Sequence, residues 1–204
     1  DVHFLVGGTQ ANTTVIAHIL RPYQGVIAAS SGHINVHETG AIESTGHKVL
    51  AIPTDDGKLT ASQIEEAMLE HINEDGPEHM AQPGMVYLSF PTEIGTIYSA
   101  GELQAIRAMC DKYDLPLFID GARLGYGLCS PKCDLSLPQL SQLADVFYIG
   151  GTKVGALFGE AVVIASDALK KDFRYSIKQH GGMLAKGRLL GIQFATLFAD
   201  DLYF

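Results

Sequence analysis

Excess positive charge, apolar runs of membrane length, internal repeats and low-complexity stretches are all missing from this 204-residue sequence. Each absence removes a class of function. Lys and Arg number 14 against 23 Asp and Glu, for a net charge of −9, and no basic block interrupts that balance. Nucleic acid and anionic membrane surfaces are therefore excluded as expected partners. No apolar stretch approaches the ~20 residues that span a bilayer, and no signal-peptide pattern is visible. Only three cysteines occur, Cys110, Cys129 and Cys133, an odd number with no two-pair metal pattern. The Cys129-x3-Cys133 spacing is compatible with a metal or a disulfide. Free thiols in a reducing cytoplasm are the better reading, and no metal is expected. An initiator methionine is also missing: the chain opens inside an apolar strand and stops in a helical pattern. The expectation is an internal portion of a longer protein, cut at both ends.

What remains is ordinary globular material, 47% hydrophobic and 18% charged, enough for a real core. Apolar runs of strand length alternate with helical patterns. Strands are predicted at Val2–Val6, Gly25–Ala29, Lys48–Ile52, Met85–Phe90, Leu115–Ile119, Val146–Ile149 and Ala161–Ala165. Helices are predicted at Gln10–Arg21, Val36–Ser44, Ala61–Asn73, Ala100–Tyr113, Leu137–Leu143, Asp167–Ile177 and Leu184–Leu202. Thr60 with Gln63, and Ser99 with Glu102, have the spacing of capping boxes. Unbroken apolar strands alternating with helices predict a three-layer α/β/α fold around a mainly parallel seven-stranded sheet.

In such a sheet, ligands bind at the carboxyl ends of the strands, so the loops there are the places to look. Gly150-Gly-Thr-Lys-Val-Gly-Ala156 places Lys153 between glycines just after an apolar strand. A lysine kept from bulk water there loses its proton more readily and becomes a nucleophile. Schiff-base formation with an aldehyde, above all pyridoxal phosphate, is the chemistry that suits it. Taken alone, a solvated loop lysine is the better account of this segment. Gly7-Gly8-Thr9-Gln10-Ala11-Asn12 follows the first strand and opens a helix. Its free N–H groups and the Thr9 hydroxyl suit a phosphate, although a tight turn with Thr9 as N-cap is an even alternative. Neither a dinucleotide fingerprint nor a P-loop is present.

Asp120-Gly-Ala-Arg123 ends the fifth predicted strand. A carboxylate after apolar residues needs a partner: a protonated pyridine nitrogen, or Arg123 as a structural pair. Arg123 could instead hold a substrate carboxylate. His33, in Ser30-Ser-Gly-His33, could stack on a flat cofactor, with His37 and Glu38 one helical turn on. Pro91-Thr-Glu-Ile-Gly-Thr96 is a fifth polar loop at a strand end.

Together these stretches resemble fold-type-I pyridoxal-phosphate enzymes, and within them the threonine aldolase and β-eliminating lyase family. The matching segments are Gly8–Asn12, Gly32-His33-Ile34 with Glu38–Ala41, Asp120–Arg123, and Gly151-Thr152-Lys153 with Gly155-Ala156. They are collinear and cover nearly the whole chain. The resemblance implies the large cofactor domain of the aspartate aminotransferase-like fold, without the family's small C-terminal domain. It implies that Lys153 carries the Schiff base, Asp120 pairs with the pyridine nitrogen, His33 stacks on the ring, and Gly8, Thr9 and Thr152 hold the phosphate. Arg123 would bind the substrate carboxylate. A homodimer or homotetramer is implied, with the active site at a dimer interface and Lys186 or Arg188 reaching a phosphate across it. A solvated helix face is an equal reading for those two.

The implied activity is an aldehyde-lyase that cleaves L-threonine or L-allo-threonine to glycine and acetaldehyde through an external aldimine. The alternatives are β-elimination from an aromatic or cysteine-type amino acid, or transfer chemistry on the same scaffold. A non-catalytic protein of the same fold would be expected to lack the lysine or the aspartate, and both are present. One departure stands out. Many threonine aldolases carry a second histidine in the loop after the fourth strand, where this chain has Thr92. His37 or Glu93 is then left to act on the β-hydroxyl.

Overall fold

The computed structural model describes all 204 residues and forms one seven-stranded sheet. Its strands are β1 (Val2–Leu5), β2 (Gln24–Ala29), β3 (Lys48–Ile52), β4 (Gln82–Ser89), β5 (Leu117–Asp120), β6 (Val146–Gly150) and β7 (Glu160–Ile164). They lie in the order β1-β7-β6-β5-β4-β2-β3. The run from β3 to β6 is parallel, while β7 is antiparallel to both its neighbours. The sheet is thus mainly parallel, as the unbroken apolar strands predict. All the strands except β7 point their carboxyl ends to one edge.

The helices are α1 (Gly8–Ile19), α2 (His33–Val36), α3 (Ala61–Ile72), α4 (Ala100–Lys112), α5 (Leu124–Leu128), α6 (Leu137–Leu143), α7 (Phe173–Gln179) and α8 (Arg188–Phe198). Alternate strand residues serve opposite layers. Tyr87, Phe118, Val146 and Tyr148 pack with Val15 and Ile16 of α1 and Phe173 of α7. Leu88, Leu117, Ile119, Phe147 and Ile149 face Ile64 of α3, Leu103 and Ile106 of α4 and Phe194 of α8. Because both faces of the central strands are covered, those strands read as continuous apolar runs rather than alternating ones.

Capping boxes form at Thr60/Gln63 and Ser99/Glu102, and a third forms at Ser136/Gln139. Each cap contributes about 1 kcal/mol. Three predicted helices end differently. No helix spans Val36–Ser44: α2 stops at Val36, because Thr39 (φ 55) and Gly40 (φ 71) are left-handed, and only a 3-10 turn forms at Glu43–Thr45. Left-handed Asp172 (φ 62) splits Asp167–Ile177 into a 3-10 turn and α7. The predicted helix over Leu184–Leu202 is confined to α8. Helix α5 is the unforeseen one, its sequence Leu-Gly-Tyr-Gly-Leu being glycine-rich.

The loop after β5 runs hard against β6. A Cβ built on Gly121 would lie 2.0 Å from the Tyr148 carbonyl oxygen, so only glycine fits there. Gly150 N–H donates to the Gly121 carbonyl at 2.9 Å. The loops that carry Asp120 and Lys153 are therefore bonded to each other.

Candidate active site

Asp120 is the hub of the carboxyl edge. It ends β5, is 4% exposed, and accepts four hydrogen bonds. Tyr87 Oη on β4 and Tyr148 Oη on β6 donate from the two flanking strands, each at 2.5 Å, to Oδ2 and Oδ1 respectively. Asn12 Nδ2 on α1 donates to Oδ2 at 3.1 Å, and Ala122 N–H to Oδ1 at 3.0 Å. Burial, then the charge of Asp120, raises both tyrosine pKa values well above the ordinary one. Both hydroxyls consequently stay protonated and stay donors. Arg123 makes no ion pair with Asp120, so the Asp–Arg structural pair is ruled out. Arg123 is exposed at the N-cap of α5, next to that carboxylate in the chain.

A second chain of contacts starts at His33, the first residue of α2. Its Nδ1 lies 2.7 Å from Glu38 Oε1, and the same oxygen accepts from Asn12 Nδ2 at 2.7 Å. One asparagine amide thus bridges the buried carboxylates of Glu38 and Asp120. The hydrogen bond to Glu38 raises the His33 pKa, with Asp120 adding to the rise, against burial and the charge of Lys153. The sign follows from linkage. A raised histidine pKa stabilises the fold fully below the ordinary value of about 6.5, and that stability is lost as pH rises through the folded value. Glu38→Gln is expected to lower the His33 pKa, read by the ring-proton shifts of His33 in an NMR pH titration. An unmoved titration would mean that Glu38 does not hold the proton there.

Glu93, in the loop after β4, completes this side. Its Oε1 accepts from His33 N–H at 2.9 Å and from Ser89 Oγ at 2.5 Å. Thr92 is buried and spent on its own turn: its hydroxyl pairs with Thr96 Oγ1 at 2.5 Å and accepts from Thr96 N–H. His37 lies exposed at the end of α2, its ring centroid 5.5 Å from that of His33.

At the β1–α1 turn the N-cap is Gly7, not Thr9, and no side chain caps the helix. The first-turn N–H groups are thus left without a side-chain acceptor, as an anion site requires. Gly8 backs onto the Tyr148 hydroxyl, which a Cβ there would meet at 3.1 Å.

Lys153 occupies the turn after β6. Its side chain is exposed on this chain. The expectation of a lysine kept from water is therefore not met by these residues: Phe194 and Leu197 of α8 back the turn at Gly151 and Gly155 but leave the Lys153 side chain uncovered. Thr152 differs as well. Its hydroxyl donates to Glu160 Oε1 at 3.0 Å instead of standing free. Glu160, at the start of β7, also accepts from Gly151 N–H through Oε2 at 2.8 Å. Burial pushes its carboxyl up to about 7, while those two bonds and the charge of Lys153 work the other way. The sequence reading did not single out Glu160. The available signal was a glutamate opening an otherwise apolar strand. Lys186 and Arg188 are both exposed and lie outside the hydrogen-bonded set.

The donor set suits a pyridoxal-type group. Asn12 Oδ1, Glu38 Oε2 and Glu93 Oε2 are buried acceptors with no donor. They belong to residues bonded to His33 or Asp120, so the edge has acceptors to spare for a ligand carrying N–H or O–H groups. The four lone-pair positions of Asp120 are filled, so a cationic ring N–H must take the place of one donor. A cationic N–H adds charge–charge attraction that a neutral hydroxyl lacks, and the hydroxyl can rotate away.

Comparison with known proteins agrees with this geometry. The profile of the family described as beta-eliminating lyase matches residues 1–196. A low specificity L-threonine aldolase of Pseudomonas aeruginosa is 34% identical over the whole chain. One from Saccharomyces cerevisiae is 28% identical over 97% of it. The chain spans 58% of the length of the first and 50% of the second. The solved threonine aldolase of Leishmania major superposes with a TM-score of 0.95 at 52% identity, covering all of this chain and 58% of that one. Cystalysin of Treponema denticola, whose structure contains pyridoxal 5'-phosphate, shares the fold with a TM-score of 0.74 at 17% identity over 99% of the chain.

Proposed function

The chain belongs to the beta-eliminating lyase family, and from that premise we propose that it is the cofactor-binding part of a pyridoxal-phosphate-dependent threonine aldolase. The reaction is cleavage of L-threonine or L-allo-threonine to glycine and acetaldehyde. The observation that carries this reading is the convergence of the segments after four strands on one hydrogen-bonded set around Asp120 and His33, with Lys153 on the adjoining turn as the fifth. The threonine aldolases of Pseudomonas and Leishmania support the choice of substrate.

When bound, pyridoxal phosphate supplies an electron sink for the bond that breaks. This chain's residues do the remaining work. Lys153 would supply the amine that holds the cofactor. Asp120, pinned by its donors, would present an anion to the ring nitrogen, and His33 would cover the ring. The N–H groups at Gly8 and Thr9 would receive the phosphate. The Thr152 hydroxyl proton is engaged by Glu160, so its help to the phosphate is limited to the times that bond opens. Arg123, exposed and unpaired, takes the substrate carboxylate, and a fixed carboxylate decides which bond at Cα is aligned to break. Glu93 is the better base for the β-hydroxyl than His37, because it is bonded to the His33 backbone and keeps one buried oxygen free.

Exposure of Lys153 and of its neighbour Leu157, at 87%, supports a homo-oligomer in which a second copy closes the site, with Lys186 and Arg188 as its cross-interface cations. Three unpaired cysteines support a reducing, cytoplasmic setting. No helix is long and apolar enough to cross a membrane.

A substrate panel tests the reading on the full chain loaded with cofactor. Acetaldehyde and glycine from threonine are expected. Pyruvate from serine- or cysteine-type substrates, without acetaldehyde from threonine, would replace the aldolase by the β-elimination that the family's description equally admits.

A further inference from the structure

Glu160 is a buried carboxylate that the reaction as proposed does not use. It stands opposite Gly150 where β7 pairs with β6, 5% exposed, and grips the lysine turn at two points. Its Oε2 takes the Gly151 N–H at 2.8 Å and its Oε1 the Thr152 hydroxyl at 3.0 Å. The Gly159 carbonyl shares the Gly151 N–H at 3.1 Å. A carboxylate accepts from both donors, whereas a glutamine has one acceptor oxygen and would set its amide N–H2 against the other. Burying that charge is costly unless a complementary group offsets it. The groups that act on it electrostatically are Asp120 at the end of β5, Tyr148 on β6, Tyr203 near the C-terminus and Lys153. Asp120 is a like charge, and the two tyrosines are neutral donors engaged elsewhere, Tyr148 with Asp120 and Tyr203 with the Gly150 carbonyl. Lys153 alone is complementary.

We propose that Glu160 is a positioning residue for Lys153, fixing the turn that carries the lysine and holding negative charge against it. This rests on the reading of Lys153 as the residue that holds the cofactor. Burial pushes the Glu160 carboxyl up to about 7, so it carries its charge as pH rises through that value, and a negative charge beside the turn favours a positive nitrogen in lysine-bound cofactor.

Two variants test it. In Glu160→Gln holoenzyme the charge is gone, the amide oxygen still accepts from the Gly151 N–H, and the Thr152 hydroxyl turns to accept from the amide nitrogen. The pH midpoint of the visible band of lysine-bound cofactor is expected to fall by about one unit, a tenfold loss of proton affinity. In Glu160→Ala apoprotein both grips are gone, and amide exchange at Gly151, Val154 and Ala156, the bonded amides of the turn, is expected to speed up about tenfold or more. An unmoved band midpoint in the first, or unchanged exchange in the second, overturns the proposal. If wild-type protein forms no band at all, the cofactor reading of Lys153 fails separately. The exchange result then decides alone whether Glu160 holds the turn.

Discussion

Lys153→Ala is expected to abolish threonine cleavage, by on the order of 10³-fold or more, and to leave the fold intact. Both halves follow from where the lysine sits. Its side chain is exposed, has no ion-pair partner and makes no hydrogen bond to the rest of the chain. Removing such a group changes stability by about 0.5 kcal/mol or less, so lost activity cannot be assigned to unfolding. The loss comes instead from removing the one nucleophile at the strand edge that can tether an aldehyde. The check is a pair of measurements on the full chain: an absorbance spectrum before and after borohydride reduction, and acetaldehyde release. Wild type is expected to show a visible band that reduction fixes to Lys153. The variant is expected to show none, with an unchanged thermal midpoint. Lys153→Arg is the companion, keeping the positive charge while removing the usable amine, and it is expected to fail equally. A Lys153→Ala protein that still releases acetaldehyde would sink the assignment.

The parts of the molecule that were legible beforehand are those in which one local rule agrees with the global fold. The strands carry unbroken apolar runs because both faces are covered, and all seven are found within a few residues of where that pattern puts them. The capping boxes at Thr60 and Ser99 read directly because cap and acceptor sit three residues apart. Two of the failures share a cause. Thr39, Gly40 and Asp172 take left-handed conformations inside segments whose apolar spacing looks helical, and the spacing carries no trace of that. At the site, His33, Asp120 and Lys153 could be picked out because polar groups at apolar strand ends are rare. The residues that hold them could not. Tyr87 and Tyr148 read as ordinary core aromatics, and Asn12 as one more residue of a helix. Their roles arise only when β4, β6 and α1 converge on β5. Lys153 shows the converse: the expectation of a shielded lysine depends on what covers its turn, which a strand pattern does not specify.

That convergence makes Asp120 the position where chemistry and stability can be separated. Asp120→Asn preserves the shape of the group but removes the charge and turns one acceptor into a donor. Two of the four donors then meet another donor, Tyr87 with Asn12 or Tyr148 with Ala122, according to which oxygen becomes nitrogen. A tyrosine hydroxyl can rotate to accept, so the expected destabilisation is about 1 kcal/mol. Activity is expected to fall about 10²-fold or more, because the anion that balances a protonated ring is gone and the sink at the ring is weakened. Asp120→Ala goes further. Two tyrosine hydroxyls, the Asn12 amide and the Ala122 N–H lose this acceptor, at about 1–3 kcal/mol for each group left buried and unsatisfied. Partial relief by rotation brings the expected total to roughly 3–5 kcal/mol. Denaturant unfolding of both variants beside their kcat values reads the two effects apart. The asparagine variant should be nearly as stable as wild type yet nearly inactive, and the alanine variant deficient in both. If Asp120→Asn keeps its activity, the carboxylate is only a knot that ties Tyr87, Tyr148 and Asn12 together. The charge at the ring nitrogen must then come from elsewhere on this edge, where Glu38 is the next buried carboxylate, one asparagine amide away.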